Sequence, residues 1–231
     1  MAVTLHAICF AAHDPQRLAR FWVGLLGWEI DGETLVPNDE TGVRLRFIPS
    51  AEPKSRKNHA HFDLTSESIE DQRNIVAKAL ELGARHIDIG QSPEEEHVVL
   101  ADPEGNEFCV IEPGNTFLAE CGFVGALACD GSQEVGYFWS EALGWPLVWD
   151  RDQETAIRSP HGGPKITWGG PPFDAKIGPN RVRFALSGPL SDVDRLVSLG
   201  ATRLGIGESG QMEMADPDGN EFSVASKGTG T

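Results

Sequence analysis

The sequence predicts an α+β protein of four βαβββ modules, paired two by two into two curled mixed sheets. Three observations carry that prediction. Landmarks recur in one order along the chain: DPEGNEF at 102–108 and DPDGNEF at 216–222, Phe21-Trp22 with Leu26-Gly27-Trp28 and Phe138-Trp139 with Leu143-Gly144-Trp145, and Leu82-Gly83-Ala84 with Leu199-Gly200-Ala201. Their separations, 114 to 117 residues, make the chain a duplication of a unit of about 115 residues, joined near Pro113 to Cys121. Each copy then divides again into two runs of strand, helix and three strands.

The elements follow in order. Residues 4–11 (TLHAICFA) read as a buried strand. Asp14 offers an N-cap and Pro15 the first helical position, and Leu18, Phe21, Trp22 and Leu25 fall on one helical face. Short strands near 28–31, 34–37 and 43–49 are separated by Gly, Pro, Asn and Asp. Residues 59–112 repeat the order. HAHFDLT is a strand, Val76, Ala79, Leu80 and Gly83 mark a helix whose left-handed cap suits Gly83, and strands lie near 86–89, 97–101 and 107–112. DPEGN before the last strand has the residues of a turn.

In the second copy, residues 122–129 form a strand and Val135, Phe138, Trp139 and Ala142 a helical face; strands lie near 147–150, 154–159 and 164–169. A loop rich in Gly and Pro (169–180) leads to RVRFALS. Ser191 and Asp194 then resemble a capping box ahead of Val193, Leu196 and Val197. Helical spacing and bulk place Trp22, Trp28, Trp139 and Trp145 in the helix–sheet core.

At 231 residues and 40% hydrophobic content the chain builds a sizeable core, and its 23% charged fraction is that of a folded soluble protein. Nineteen basic against thirty-five acidic residues leave a net charge of −16, which repels phosphate backbones and anionic lipid, so neither nucleic acid nor membrane is an expected partner. No apolar run reaches the ~18 residues of a membrane helix, and no signal-peptide pattern opens the chain, so a cytoplasmic location is expected. Cys9, Cys109, Cys121 and Cys129 show no CxxC spacing and no disulfide framework. GxGxxG, P-loop, HExxH and GxSxG motifs are absent.

On LHAICFAAHDPQRLARFW with LLGW, ELGA with ADPEGNEF, GYFWSEALGW, SLGA and ADPDGNEF, the chain resembles the vicinal oxygen chelate superfamily, the glyoxalase/bleomycin-resistance/dioxygenase fold. The resemblance covers nearly the whole chain and is nearest to the glyoxalase-like branch. It implies tandem domains at 1–114 and 121–227, two curled sheets of two modules each, and a ligand cavity inside each curl. It also implies four ligand positions per cavity, on the first and last strands of the paired modules. Carried onto this sequence, these fall on His6 and Arg46 in the first module and on His61 and Cys109 in the second. In the second copy they fall near Phe123, on Ile166 to Trp168, on Arg183 and on Ser223.

The last slot of the first copy, four residues past Gly105, is usually a Glu in the family's metal enzymes; here it is Cys109. Arg46 brings a permanent cation where an ion would sit. Glyoxalase isomerisation needs a carboxylate beside a metal-bound enediolate, and extradiol oxygenation needs a two-His-one-carboxylate face. The expected function is therefore binding of a small organic molecule in a sheet cavity without a catalytic metal. The expected contacts are His6, Arg46, His61, Asp63, Cys109, Trp168 and Arg183. The alternative is a metal-dependent lyase, isomerase or dioxygenase, with Zn, Fe, Ni or Mn held by His6, His61 and Cys109. Catalysis itself is left open. Asp63 shares a face with His61 and needs a cationic partner, Arg46 or Arg44. Arg158, Arg181 and Arg183 form either an anion pocket with Trp168 or a solvated outer face. Glu107 is expected to point to solvent, with His59 as a substitute for His61. The two cavities are expected to differ. Four modules in one chain complete the fold, giving a monomer or homodimer.

Overall fold

A computed structural model describes residues 3–39, 41–92, 94–172 and 176–226. Three residues of the Gly/Pro loop, 173–175, lie outside the described residues, as do the two N-terminal residues and the end of the second repeat at 227.

The first module comprises β1 (Thr4–Ala12), α1 (Pro15–Leu26), β2 (Glu29–Asp31), β3 (Thr34–Val36) and β4 (Leu45–Pro49). The second comprises β5 (Ala60–Leu64), α2 (Ile69–Glu81), β6 (Arg85–His86), β7 (Val98–Ala101) and β8 (Glu107–Val110). The third comprises β9 (Val124–Cys129), α3 (Gln133–Leu143), β10 (Leu147–Arg151), β11 (Glu154–Arg158) and β12 (Lys165–Trp168). The fourth comprises β13 (Val182–Ser187), α4 (Asp192–Ser198), β14 (Thr202–Ile206), β15 (Met212–Ala215) and β16 (Glu221–Ala225).

The mixed sheets are two, as expected, but the modules pair across the repeats. One sheet runs β14-β15-β16-β13-β1-β4-β3-β2 and the other β10-β11-β12-β9-β5-β8-β7-β6. Module one therefore joins module four through the antiparallel β1–β13 pair, and module two joins module three through β5–β9. We call these the outer-module sheet and the inner-module sheet. One apolar core lies on the helix-bearing faces of both. Phe10, Trp22, Phe62, Phe108, Trp139, Phe184 and Phe222 meet there with Leu18, Leu25 and Leu196 of the helices.

Local sequence explains the helices. Asp14 caps α1, its Oδ1 accepting from the Arg17 amide at 2.9 Å, with Pro15 in the first turn and Gly27 closing it in the left-handed conformation. Ser191 does not cap α4; it is itself helical, and the expected box does not form.

The repeated DPxGNE segment is a latch as well as a turn. Asp102, fully buried, accepts from the Trp22 indole at 3.3 Å and from the Glu104 and Asn106 amides at 2.9 Å. Glu104 then accepts from the His13 and Asp14 amides at the start of α1. Glu107 does not face solvent as expected: it is buried against Lys54 at 2.6 Å and the Asn58 amide at 3.1 Å. The second copy repeats the pattern. Trp139 donates to Asp216 at 3.2 Å, Ser132 at the start of α3 to Asp218, and Lys176 to Glu221 at 2.5 Å. Carboxylates that collect donors from α1, from the turn itself and from the segment before β5 explain why the motif recurs better than turn propensity does.

Burial pushes the Asp102 and Asp216 carboxyls up to about 6 from 3.8, against hydrogen bonds that pull them down. The folded chain thus holds these protons more tightly than the unfolded chain. Their contribution to stability is full below about pH 4 and is lost as pH rises through about 6. The stability of the wild type relative to Asp102→Asn, read from urea midpoints, is expected to fall between pH 4 and pH 7. A difference flat across that range would show an ordinary carboxyl.

Candidate functional site

The cross-pairing decides which candidate residues meet. His6, Arg46, Arg183 and Ser223 stand on the outer-module sheet, whereas His61, Asp63 and Cys109 stand on the inner-module sheet. The four positions expected in one first-copy cavity are thus split. Trp168 joins neither set: alternation along β12 turns it into the central core, where it is 2% exposed.

On the helix-free face of the outer-module sheet, side chains fall in two rows. Thr34, Arg46, Cys9 and Arg183 are lateral neighbours in one row; Ala7, Ala185, Ser223 and Glu213 form the next. Ala7, Cys9 and Ala185 make a floor of small buried side chains. The Arg46 side chain projects beside it on β4, with Arg44 just before that strand, and Arg183 projects on β13. Among the described residues Arg46 has only a loose partner, Glu33 at 3.8 Å, itself 85% exposed. Arg183 donates Nε to the Asn180 carbonyl at 2.8 Å, and its terminal nitrogens make no hydrogen bond among the described residues.

A register shift between Leu5 and Ala7 re-phases β1 at His6, so His6 and Cys9, three residues apart, both come near Arg46. Burial, then Arg44 and Arg46, lower the His6 pKa, so its imidazole is neutral at pH 7. Burial pushes the Cys9 thiol up to about 11, overcoming Arg46 and Arg183, with Glu213 adding to the rise. Cys9 is therefore a neutral floor group and no nucleophile. Guanidinium forks with free donors over a small apolar floor suit a planar anion such as a carboxylate.

On the inner-module sheet, alternation along β5 turns His61 and Asp63 away from the core, and Cys109 lies beside Asp63 on β8. His61 Nε2 stands 3.4 Å from Asp63 Oδ1, with 22% and 18% of the two side chains exposed. The partner of Asp63 is thus His61 and not Arg44 or Arg46, which belong to the other sheet. One ligand atom from each of His61, Asp63 and Cys109 falls within 4.8 Å of the others. Burial works to lower the His61 pKa, but hydrogen bonds to Asp63 and Cys109 outweigh it and raise the value to about 10.

Much of this face is covered by the segment that joins the repeats. Leu118 packs with Val99, Cys109, Ile111 and Ala126, and Phe117 and Cys121 pack against them. The Lys165 ammonium sits 4.1 Å from the Phe117 ring centre, and Phe117 meets Trp149 edge-on at 5.6 Å. Arg158 is occupied locally, donating to the Gly163 carbonyl at 2.9 Å and the Glu120 carbonyl at 2.6 Å. The two faces are therefore unlike, one an open cationic trough and the other lined by the linker.

A divalent ion fits the second face in donor chemistry. One imidazole nitrogen, one carboxylate oxygen and one thiolate sulfur form a borderline-soft set with open positions, as zinc takes. The set is His61, Asp63 and Cys109; His6, expected as a third ligand, lies on the other sheet. Sequence reasoning missed Cys9 and Glu213 as site residues, and it named Arg44 only as a partner for Asp63. Alternation from Arg46 reaches Arg44, but the re-phasing of β1 and the arrival of Glu213 from the fourth module leave no local signal.

The sequence profile described as "Glyoxalase-like domain" matches residues 7–111 and 125–225. The chain belongs to this glyoxalase-like family, within the vicinal oxygen chelate superfamily, and carries its domain twice. No curated protein matches the sequence. Among solved structures it is similar to glyoxalase I from Zea mays, at 12% identity and a TM-score of 0.64, covering 96% of this chain and 92% of that one. It is also similar to a putative dioxygenase from Bacillus subtilis, at 14% identity and a TM-score of 0.62, covering 99% and 86%. At such identities the likeness is one of fold. Among the described residues, no helix is long and apolar enough to cross a membrane.

Proposed function

We propose that the chain binds a small organic anion in the trough of the outer-module sheet, without a catalytic metal at that site. The observation that carries this reading is the placement of Arg44, Arg46 and Arg183 around the floor of Ala7, Cys9 and Ala185 in a protein of net charge −16. Two guanidiniums grip the carboxylate, the neutral His6 imidazole offers a further hydrogen bond, and Glu213 disfavours a second negative charge at its end of the trough. A calorimetric titration with a panel of small mono- and dicarboxylates tests it. Arg46→Ala/Arg183→Ala is expected to weaken binding at least about tenfold, since charged hydrogen bonds are worth about 1.5–3 kcal/mol each. Binding unchanged in that variant would end the proposal.

The grouping of His61, Asp63 and Cys109 within 4.8 Å favours a second reading, metal-dependent chemistry on the inner-module sheet. An ion there would supply Lewis-acid polarisation of an oxygenated substrate. Zinc bound in about one equivalent by untagged protein, and lost in Cys109→Ser, is the expected result on this reading. Protein free of metal after growth in zinc-supplemented medium would remove it.

We place the repeats at 1–114 and 121–227 and the protein in the cytoplasm, as a monomer or homodimer. The free state of Cys9, Cys109, Cys121 and Cys129 supports a reducing compartment.

A further inference from the structure

The two segments that link modules within each repeat, 50–59 and 176–181, face one another across a groove of about 910 Å³. That size suits a small-molecule site. Arg56, Lys57, Lys176, Arg181 and Arg183 line it, against Glu52, Asp130 and Asp218. The fixed cations are held in place. Arg181 donates to the Glu52 and Ala11 carbonyls at 2.9 and 2.6 Å and pairs with Glu104 at 3.6 Å, and Lys176 is held by Glu221. Asp218 is committed to the start of α3, accepting from the Ser132 amide at 2.6 Å and its hydroxyl at 2.7 Å. Arg56 and Lys57 are exposed and make no ion pair among the described residues. Arg56 reaches across the groove: its guanidinium lies 3.7 Å from where a Cβ would stand on Gly178.

The groove also holds a polar group in need of a partner. His59 lines it and the narrow chamber adjoining it, and its Nδ1 is buried with no hydrogen-bond partner among the described residues. Five of the chain's nineteen basic residues thus gather on one groove, and an unsatisfied imidazole nitrogen is buried behind its wall at His59.

We infer that this groove is a second ligand site, separate from the sheet trough, that takes a small polyanion bearing phosphate or carboxylate groups. Arg56 and Lys57 close over the charges, and the His59 ring, which lines the wall beside them, reports the ligand's arrival. Arg183 borders both sites, so the test relies on residues that do not. Inorganic pyrophosphate and citrate, representing the two sources of charge, are titrated into the full chain by calorimetry and followed by NMR of backbone amides and of imidazole nitrogens. The expected result is one saturable event with either probe or both, moving the amides of 56–59 and 178–181 and the His59 Nδ1 resonance. Arg56→Ala/Lys57→Ala is expected to weaken it tenfold or more, and Arg44→Ala/Arg46→Ala to leave it within twofold. A loss confined to pyrophosphate assigns a phosphate ligand, and one confined to citrate a carboxylate ligand. The inference is overturned if neither probe saturates by about 10 mM, or if His59 stays unmoved. It is also overturned if binding survives in Arg56→Ala/Lys57→Ala and disappears in Arg44→Ala/Arg46→Ala, a result that would leave the trough proposal standing.

Discussion

Trp22→Ala is expected to cost about 3–5 kcal/mol from the cavity alone, by analogy with large-to-small core changes. Trp22 is 1% exposed, with ring centres of Phe21 and Phe108 at 5.3 Å and of Phe62 at 5.7 Å. Phe62 and Phe108 belong to the inner-module sheet, whereas α1 precedes a strand of the outer-module sheet. The indole therefore fills the junction between sheets. Its loss also strips one donor from the buried Asp102, and an acceptor left short inside a protein adds up to about 1–3 kcal/mol. Against a usual total of about 5–15 kcal/mol, the variant stands near the edge of folding. Trp22→Phe keeps one aromatic ring but loses the pyrrole edge with its N–H, so it leaves a smaller void as well as a missing hydrogen bond and is expected to cost about 1–3 kcal/mol. Urea unfolding of the three proteins separates packing from latch. A Trp22→Ala cost no larger than that of Trp22→Phe would show that neither the cavity nor the sheet junction matters.

Gly136→Ala is expected to destabilise by about 2–3 kcal/mol although alanine is the better helix former, because overpacking of this degree typically costs about 1–3 kcal/mol and more where backbone must move. A Cβ on Gly136 would sit 2.0 Å from Thr155 Oγ1 and 2.6 Å from its Cβ. Thr155 is 1% exposed on β11, so it has no free space to turn into. The absent side chain lets α3 lie directly on the strand; at the corresponding place in the first copy stands Ala19. Thr155→Ala removes the obstructing hydroxyl and methyl. The double variant is expected to recover most of the loss, giving a coupling of at least about 1 kcal/mol in a double-mutant cycle. Additive effects would mean that the helix backs off as a unit and that Thr155 is not the obstacle.

The module order, the helices and the tryptophan core were legible because they rest on local signals: periodicity at Leu18, Phe21, Trp22 and Leu25, the Asp14 cap, and a motif written twice. The pairing of modules was not, because strand partners are chosen over long separations and a duplicated sequence offers each strand two chemically similar neighbours. That one choice redistributed the site. Arg46 no longer opposes a metal at His61, since Arg46 and His61 lie on different sheets, and Asp63 takes the third place in the candidate ligand set beside Cys109. Glu107 was misjudged for a smaller reason. Its place beside a turn suggested exposure, and nothing local reveals that Lys54 and the Asn58 amide close over it.

Interlocking the repeats also sets an order on biosynthesis. On the ribosome, the inner-module sheet can assemble once residues up to Trp168 have emerged, from neighbours in the chain. The first strand, by contrast, must wait for Val182–Ser187 before its second edge is covered. Until then an apolar strand, ICFAA at its end, is held with one flank of amides and carbonyls unsatisfied. The nascent protein is therefore most vulnerable to mispairing until the fourth module emerges, and the trough that gathers Arg46 and Arg183 exists only once Val182–Ser187 has paired with the first strand.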